Sequence, residues 1–158
     1  MADDDLGDIV KEFSNALGGE RENIAAFSNS FKKSLKEYKK DNRYPVMWEK
    51  ICWHLNRIRE DTPKREQSEH LGAVLGITIA IVEYWIPTTS ESNIMFNETK
   101  ILENFGELSR QLKYMGKKVK FTFIERRIKK IEKRYTSYTK KIDIDRKKLI
   151  LKIAAKFL

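Results

Sequence analysis

Apolar side chains recur every three or four residues along most of this chain, which is the spacing of one buried face of a helix. The clearest example lies in residues 22–39, where the apolar positions are Ile24, Phe27, Phe31, Leu35 and Tyr38. The same spacing predicts further helices over residues 5–17, 46–59, 63–86, 98–115, 124–135 and from about 143 or 145 to 158. The chain is therefore expected to be built mainly from amphipathic helices.

One segment departs from this amphipathic spacing, because residues 71–86 are apolar apart from Thr78 and Glu83. A run of sixteen residues is shorter than the roughly 18 to 20 that a membrane span needs, so a buried element of the core is favoured. The segment is expected to stop at Pro87. Residues 87–93 that follow are rich in turn-forming side chains, which makes them the best candidate for a boundary or a mobile connection.

These patterns predict a mainly α fold, a compact bundle of about five to seven helices in a single domain spanning residues 1–158. An α+β fold is the alternative. Residues 77–86 contain several β-branched side chains, and Val119, Phe121 and Phe123 alternate with polar residues. In that alternative a small two-stranded element forms near residues 77–86 and 118–124.

Small residues recur every fourth position at Gly72, Gly76 and Ala80. On a helix they form a smooth stripe that lets another backbone approach closely. We interpret the stripe as a feature of a tightly packed central helix. A surface for self-association is the functional alternative.

Charge changes the picture, because it is divided unevenly along the chain. Residues 1–105 carry 14 Lys/Arg against 18 Asp/Glu, a net charge of −4. Residues 106–158 carry 18 against 5, a net charge of +13, and the two parts sum to the total of +9. A concentrated positive surface attracts polyanions, so nucleic acid is the favoured partner of the basic C-terminal part.

Two basic stretches are predicted to contact phosphates, because rows of cations along a helix match a phosphate backbone. The expected nucleic-acid-binding residues are Lys117, Lys118, Lys120, Arg126, Arg127, Lys130, Lys133, Arg134, Lys148 and Lys152. Tyr114, Tyr135 and Tyr138 lie nearby in sequence, where an exposed ring can stack on an unpaired base. No recognition-helix or zinc-finger motif is present, so backbone contacts are expected rather than base readout.

Catalysis and metal chemistry have little support in the sequence. Cys52 and His54 are two positions apart and point to different faces of a helix, so His54 and the only other histidine, His70, are interpreted as surface or helix-end residues. Asp143 and Asp145 are interpreted as N-cap and dipole partners of the last helix. The sequence therefore predicts no enzyme, no cofactor and no metal site. With one cysteine and no signal-peptide pattern, an intracellular location in cytoplasm or nucleus is expected.

The favoured function is sequence-tolerant nucleic-acid binding without catalysis, as a subunit of a ribonucleoprotein, nucleocapsid or packaging assembly. Residues 1–20 carry a net charge of −5 and could meet the basic surface of another copy, which would give self-association. Two alternatives remain. One is a peripheral membrane or matrix-type protein that binds anionic lipid. The other is a protein-interaction adaptor or inhibitor that docks on an acidic partner.

Overall fold

The structure, a computed structural model, describes residues 7, 10, 11, 19–40, 43–115, 129 and 141–156. Five helices and no strand occur in this part of the chain, which confirms the mainly α fold. In chain order they are α1 (Arg21–Lys40), α2 (Tyr44–Leu55), α3 (Lys64–Ala80), α4 (Glu91–Met115) and α5 (Lys141–Ala155).

The first of these helices follows the predicted pattern closely. Gly19 precedes α1 with a φ of 70°, a left-handed conformation that glycine adopts without steric cost. Within α1, Phe27, Phe31 and Tyr38 are buried, whereas Ile24 and Leu35 at the edges of the same face are partly exposed. The predicted helices over residues 5–17 and 124–135 fall largely outside the described residues.

The end of α2 differs from its prediction, because residues 56–59 form a turn instead of a last helical turn. In the connection between α2 and α3, side chains donate hydrogen bonds to the backbone carbonyls of these residues. The Thr62 hydroxyl donates to the Arg57 carbonyl at 3.0 Å, and the Gln67 amide donates to the Arg59 and Thr62 carbonyls, both at 2.8 Å. Such side-chain bonds compete with helical ones and end the helix early.

The apolar segment is helical throughout, so the α+β alternative is wrong for residues 77–86, while residues 118–124 lie outside the described part. After Ala80 the helix continues as a π-helix (Ile81–Trp85) and a last turn (Ile86–Thr88). Pro87 therefore lies inside the last turn and does not stop the helix at Ile86. The wider π-turn comes just where proline lacks an amide for the carbonyl four residues earlier, that of Glu83.

The connection that follows is shorter than the predicted loop over residues 87–93, and only Thr89 and Ser90 separate the two helices. The Asn93 amide donates to the Ser90 hydroxyl at 3.2 Å, so Ser90 acts as the N-cap of α4. Because this cap starts α4 at Glu91, the helix is seven residues longer than the apolar pattern from residue 98 indicated.

The continuous helix Lys64–Thr88 is long and apolar enough, by length and composition, to cross a membrane. However, 83% of its most apolar window is buried against other parts of this protein, as in a core helix. Length and composition are therefore weak evidence of a membrane span here, and the burial agrees with the predicted core element.

Close packing of α1 against α3 depends on the two glycines of the small-residue stripe. A Cβ atom at Gly72 would lie 2.4 Å from the Phe27 carbonyl oxygen, and one at Gly76 would lie 2.7 Å from the Phe31 carbonyl oxygen. Both contacts are with backbone atoms, which cannot rotate away. The interpretation of the stripe as a close-packing surface is thus confirmed, and α1 covers it.

The described residues fall into two compact units. The first extends to Trp85 and holds α1, α2 and most of the long helix, with Met47, Ile51, Val74 and Leu75 among its fully buried side chains. The second starts at Ile86 and holds α4 and α5. The division at residues 85 and 86 lies just before the stretch that the sequence marked as a boundary. The single domain over residues 1–158 stays a prediction.

In the second unit α5 packs its apolar face on α4. Leu149, Ile150 and Ile153 of α5 are buried, as are Phe105 and Leu108 of α4. The helix α5 begins at Lys141, earlier than predicted, so Asp143 and Asp145 lie inside the helix and neither is its N-cap.

Arg146 is a buried charged residue of the second unit, with 6% of its surface exposed. Its guanidinium donates to the Ile86 carbonyl and, at 2.6 Å, to the Thr89 carbonyl. Carbonyls at a helix C-terminus have no partner within the helix and carry partial negative charge. The planar guanidinium therefore satisfies two acceptors and fastens α5 to the residues that end the long helix.

Replacing Gly72 by alanine tests the close approach of α1 and α3. Alanine in a helix interior normally adds about 0.5 to 1 kcal/mol to stability. Here the new Cβ would meet backbone at 2.4 Å, so we expect Gly72→Ala to lower the free energy of unfolding by about 1 to 3 kcal/mol. Urea unfolding followed by circular dichroism measures this change.

Gly106→Ala is the matched control, because its Cβ would meet only the Lys156 Cδ atom, at an ordinary 3.7 Å. It is expected to leave stability unchanged or slightly raised. Equal effects of the two substitutions would contradict the packing account.

Replacing Arg146 by methionine tests the buried guanidinium. Two carbonyls lose their donors, so we expect a loss of about 2 to 4 kcal/mol in the free energy of unfolding. Arg110→Met, at an exposed arginine paired with Glu107, should cost clearly less, because an exposed ion pair contributes little stability. Comparable losses at the two positions in urea unfolding would show that the Arg146 bonds contribute little.

Candidate functional site

Two of the ten predicted nucleic-acid-binding residues belong to the described part of the chain, namely Lys148 and Lys152 on α5. Both side chains are exposed. The other eight lie outside the described residues: Lys117, Lys118, Lys120, Arg126, Arg127, Lys130, Lys133 and Arg134. Their role in binding stays a prediction.

The exposed lysines of α5 form a row, since Lys148, Lys152 and Lys156 are four residues apart and all three are exposed, whereas Leu149 and Ile153 are buried. Lys152 has a partner within its unit, because its Nζ atom lies 3.0 Å from the Glu98 Oε1 atom of α4. Both side chains of that pair are well exposed to solvent. Exposed ion pairs contribute little stability, so a phosphate can compete for this lysine.

A second basic surface, which the sequence analysis missed, covers the C-terminal half of α1. Residues 31–40 carry five lysines against the single acid Glu37. All five are exposed: Lys32, Lys33, Lys36, Lys39 and Lys40. The negative sum over residues 1–105 concealed this local excess, which a shorter charge window would have detected. We call these five residues the α1 lysine surface.

The two histidines meet in the first unit. His54 lies near the end of α2 and His70 near the middle of α3, and their Nδ1 atoms are 2.9 Å apart. The Trp53 ring lies edge-on to both imidazoles, with centroids 4.8 Å from His54 and 5.8 Å from His70. Sequence reasoning missed this pair because it compared His54 only with Cys52 on its own helix.

Electrostatics keep the histidine pair neutral. Burial, followed by the charges of His70, Lys50 and Arg57, lowers the pKa of His54 from 6.5 to about 4. Burial also lowers the pKa of His70, against the opposing charge of Glu69. At neutral pH one ring therefore donates its Nδ1 hydrogen to the Nδ1 lone pair of the other.

Trp53 also holds two cations on the outer surface of α2. The Arg57 guanidinium carbon lies 3.4 Å from the centre of the indole ring, and the Lys50 Nζ atom lies 5.5 Å from it. Arg57 additionally donates to the Trp53 carbonyl at 2.9 Å. These contacts order both cations beside the histidine pair, which explains their effect on the His54 pKa.

An open groove of about 490 Å³ lies beside the histidines in the first unit. It is lined by Glu22, Ala25, Ala26, Asn29, Ser30, Lys33, Trp53, His54, Arg65, Glu69 and His70. Lys33 and Arg65 are balanced by Glu22 and Glu69, and Arg65 lies 3.7 Å from Glu22. With its formal charges balanced, the groove is a poor surface for a polyanion. No group of three or more His, Cys, Asp or Glu side chains in the described residues is placed to hold a metal ion.

Comparison with known proteins finds no matching family model, no matching curated protein and no matching solved structure. What this protein does is therefore inferred from its own residues.

Mild acid tests the neutral histidine pair. Since the pKa of His54 is 6.5 when unfolded and about 4 when folded, the unfolded state binds more protons between these values. The contribution of the neutral His54 ring to stability is thus fully present above pH 6.5 and is lost as the pH falls toward 4. Because the ring is only partly buried, solvent screening reduces the expected loss to about 1 kcal/mol between pH 7.5 and 5.

Urea unfolding of the wild type and His54→Gln at several pH values in this range measures that loss. The variant cannot gain a proton at this position, so its stability should fall less steeply with pH. Parallel pH profiles for the two proteins would contradict a depressed His54 pKa.

Proposed function

We propose that this protein binds nucleic acid without catalysis, through the phosphate backbone and by its basic C-terminal part, residues 106–158. The observation that carries the proposal is the net charge of +13 in these 53 residues, against −4 in the preceding 105. Cations concentrated in this way release counterions from a polyanion when they bind, which favours association and makes it depend on salt.

The shortage of acidic residues distinguishes this basic part from a surface that only keeps the protein in solution. Solubilising faces carry acids and bases together, whereas residues 106–158 hold only 5 acids among 23 charged residues. On α5 the row of Lys148, Lys152 and Lys156 supports the proposal, because all three side chains are exposed to solvent. The proposed activity gives the protein a place as a subunit of a ribonucleoprotein, nucleocapsid or packaging assembly.

The α1 lysine surface is the competing position for a polyanion. Its total excess is smaller, a net charge of +4 over residues 31–40 against +13 over residues 106–158. It also belongs to a part of the chain whose sum is negative, so the long-range field there is weaker. A decisive experiment must therefore distinguish the two surfaces as well as establish binding.

Fluorescence anisotropy of labelled single-stranded RNA, single-stranded DNA and duplex DNA, titrated at several salt concentrations, tests the proposal. We expect binding whose affinity falls steeply with salt. Lys148→Gln removes one phosphate contact, so it should reduce the log–log salt slope by about 0.7 to 0.9. Lys36→Gln, on the α1 lysine surface, is the matched control and should leave the slope unchanged.

A larger substitution tests the predicted contact residues that precede α5 in the chain. Replacing Arg126, Arg127, Lys130 and Lys133 together by glutamate should abolish binding, whereas glutamate at Lys32, Lys36 and Lys40 should weaken it only through net charge. The reverse result would move the interface to α1. Absence of binding to all three polymers at low salt, with binding to anionic but not neutral vesicles, would overturn the proposal in favour of a membrane surface.

A further inference from the structure

Two helices of this protein carry rows of exposed lysines with the same spacing of four residues. The rows are Lys148, Lys152 and Lys156 on α5, and Lys32, Lys36 and Lys40 on α1. Residues 147–156 and residues 31–40 each have a net charge of +4. Over equal lengths, α1 is therefore as basic as α5. The two helices belong to different compact units of the chain.

The lysines on α1 are not neutralised by the protein itself. Four of them form no ion pair within the described part of the chain: Lys32, Lys33, Lys36 and Lys40. The Lys39 Nζ atom lies 5.2 Å from the centre of the Tyr84 ring, a contact that orders the ammonium group but leaves its charge in place. Like charges one helical turn apart repel each other, and a bound anion would remove that repulsion.

The helix dipole explains only part of the α1 lysine surface. It favours basic side chains in the last turn of a helix, which here contains Lys39 and Lys40. The other three lysines precede that turn. A solubilising surface normally mixes acids with bases, yet Glu37 is the single acid among residues 31–40. An anionic partner accounts for the remaining lysines.

The length and spacing of the α1 row fit an extended polyanion. With a rise of about 1.5 Å per residue, neighbouring lysines of the row are about 6 Å apart along the helix axis. The whole row from Lys32 to Lys40 therefore extends over about 12 Å. Duplex nucleic acid carries one charge per roughly 1.7 Å of its axis, so several phosphates face a row of this length. Nucleic acid presents this array in any sequence, whereas an acidic protein needs a matching set of carboxylates.

We propose that the α1 lysine surface is a second nucleic-acid-binding surface, so that one chain holds two segments of nucleic acid. This inference rests on the proposed function, because the first segment binds to the basic C-terminal part. The surface on α1 is the weaker of the two, since residues 1–105 have a negative total charge. A subunit that holds two segments brings distant parts of a polymer together, which is what a packaging assembly requires.

Capture of one nucleic acid by another tests this inference. Short oligouridine RNA, which does not pair with itself, is attached to beads, and the same RNA with a fluorescent label is added together with the full-length protein at low salt. The wild type should retain labelled RNA on the beads, because each chain holds one strand on each surface. A short duplex DNA is used in a parallel assay.

A triple variant that removes the α1 row carries Lys32→Gln, Lys36→Gln and Lys40→Gln. It should retain at least about fivefold less labelled RNA, because the phosphate contacts of the second strand are lost. Its affinity for a single strand in fluorescence anisotropy should change by less than about twofold, through net charge alone.

The matched control removes the same number of charges from exposed cations of the same unit that lie outside the row. It carries Lys50→Gln, Lys64→Gln and Arg65→Gln. This variant should retain as much labelled RNA as the wild type. Equal losses of capture in the two triple variants would show that net charge, and not the α1 row, holds the second strand.

Stoichiometry measured on the wild type keeps the test decisive if a variant unfolds. Sedimentation of the protein with excess labelled RNA should give two strands per chain. One strand per chain would overturn the inference, leave the proposed function intact and make an acidic protein the next partner to test for α1.

Three other results would also overturn the inference. Undiminished capture by the α1 variant would show that two associated copies hold the strands. An α1 variant that loses capture and single-strand affinity to the same extent would show that both rows bind one strand. Absence of any binding to RNA or DNA would remove the proposed function together with this inference.

Discussion

The packing of the first unit depends on how closely α1 can approach α3. At Gly72 and Gly76 the backbone of α1 occupies the space that a side chain would fill. This close approach lets Phe27 and Phe31 be fully buried beside a helix whose residues 71–83 are themselves all buried. The helix α2 also packs on α3, and it carries the Trp53 and His54 side chains that meet His70.

Much of this fold follows from sequence periodicity, because amphipathic spacing and small-residue spacing are local properties. The pattern in residues 22–39 predicted α1 to within one residue at each end, and the glycine spacing predicted the close contact. The errors occur where side chains compete for the backbone. Thr62 and Gln67 end α2 early, Ser90 starts α4 early, and a π-helix accommodates Pro87.

The side-chain contacts of the site could not be predicted from the sequence, for a physical reason. The interaction of His54 with His70 depends on the path of the connection between two helices, which no spacing along one helix reveals. The pairing of Lys152 with Glu98 likewise joins residues 54 positions apart. The charge of the C-terminal part, by contrast, is a sum over sequence, and it could be read directly.

The burial of Arg146 has a consequence for that sum. A formal charge counts every cation equally, yet this guanidinium is enclosed by protein and directed at the carbonyls of Ile86 and Thr89. Its electrostatic field acts mainly on those carbonyl dipoles, and no counterion can condense beside it. The charge that an approaching polymer meets is therefore smaller than the composition implies. The number of counterions released on binding reflects the accessible lysines rather than all the cations of the sequence.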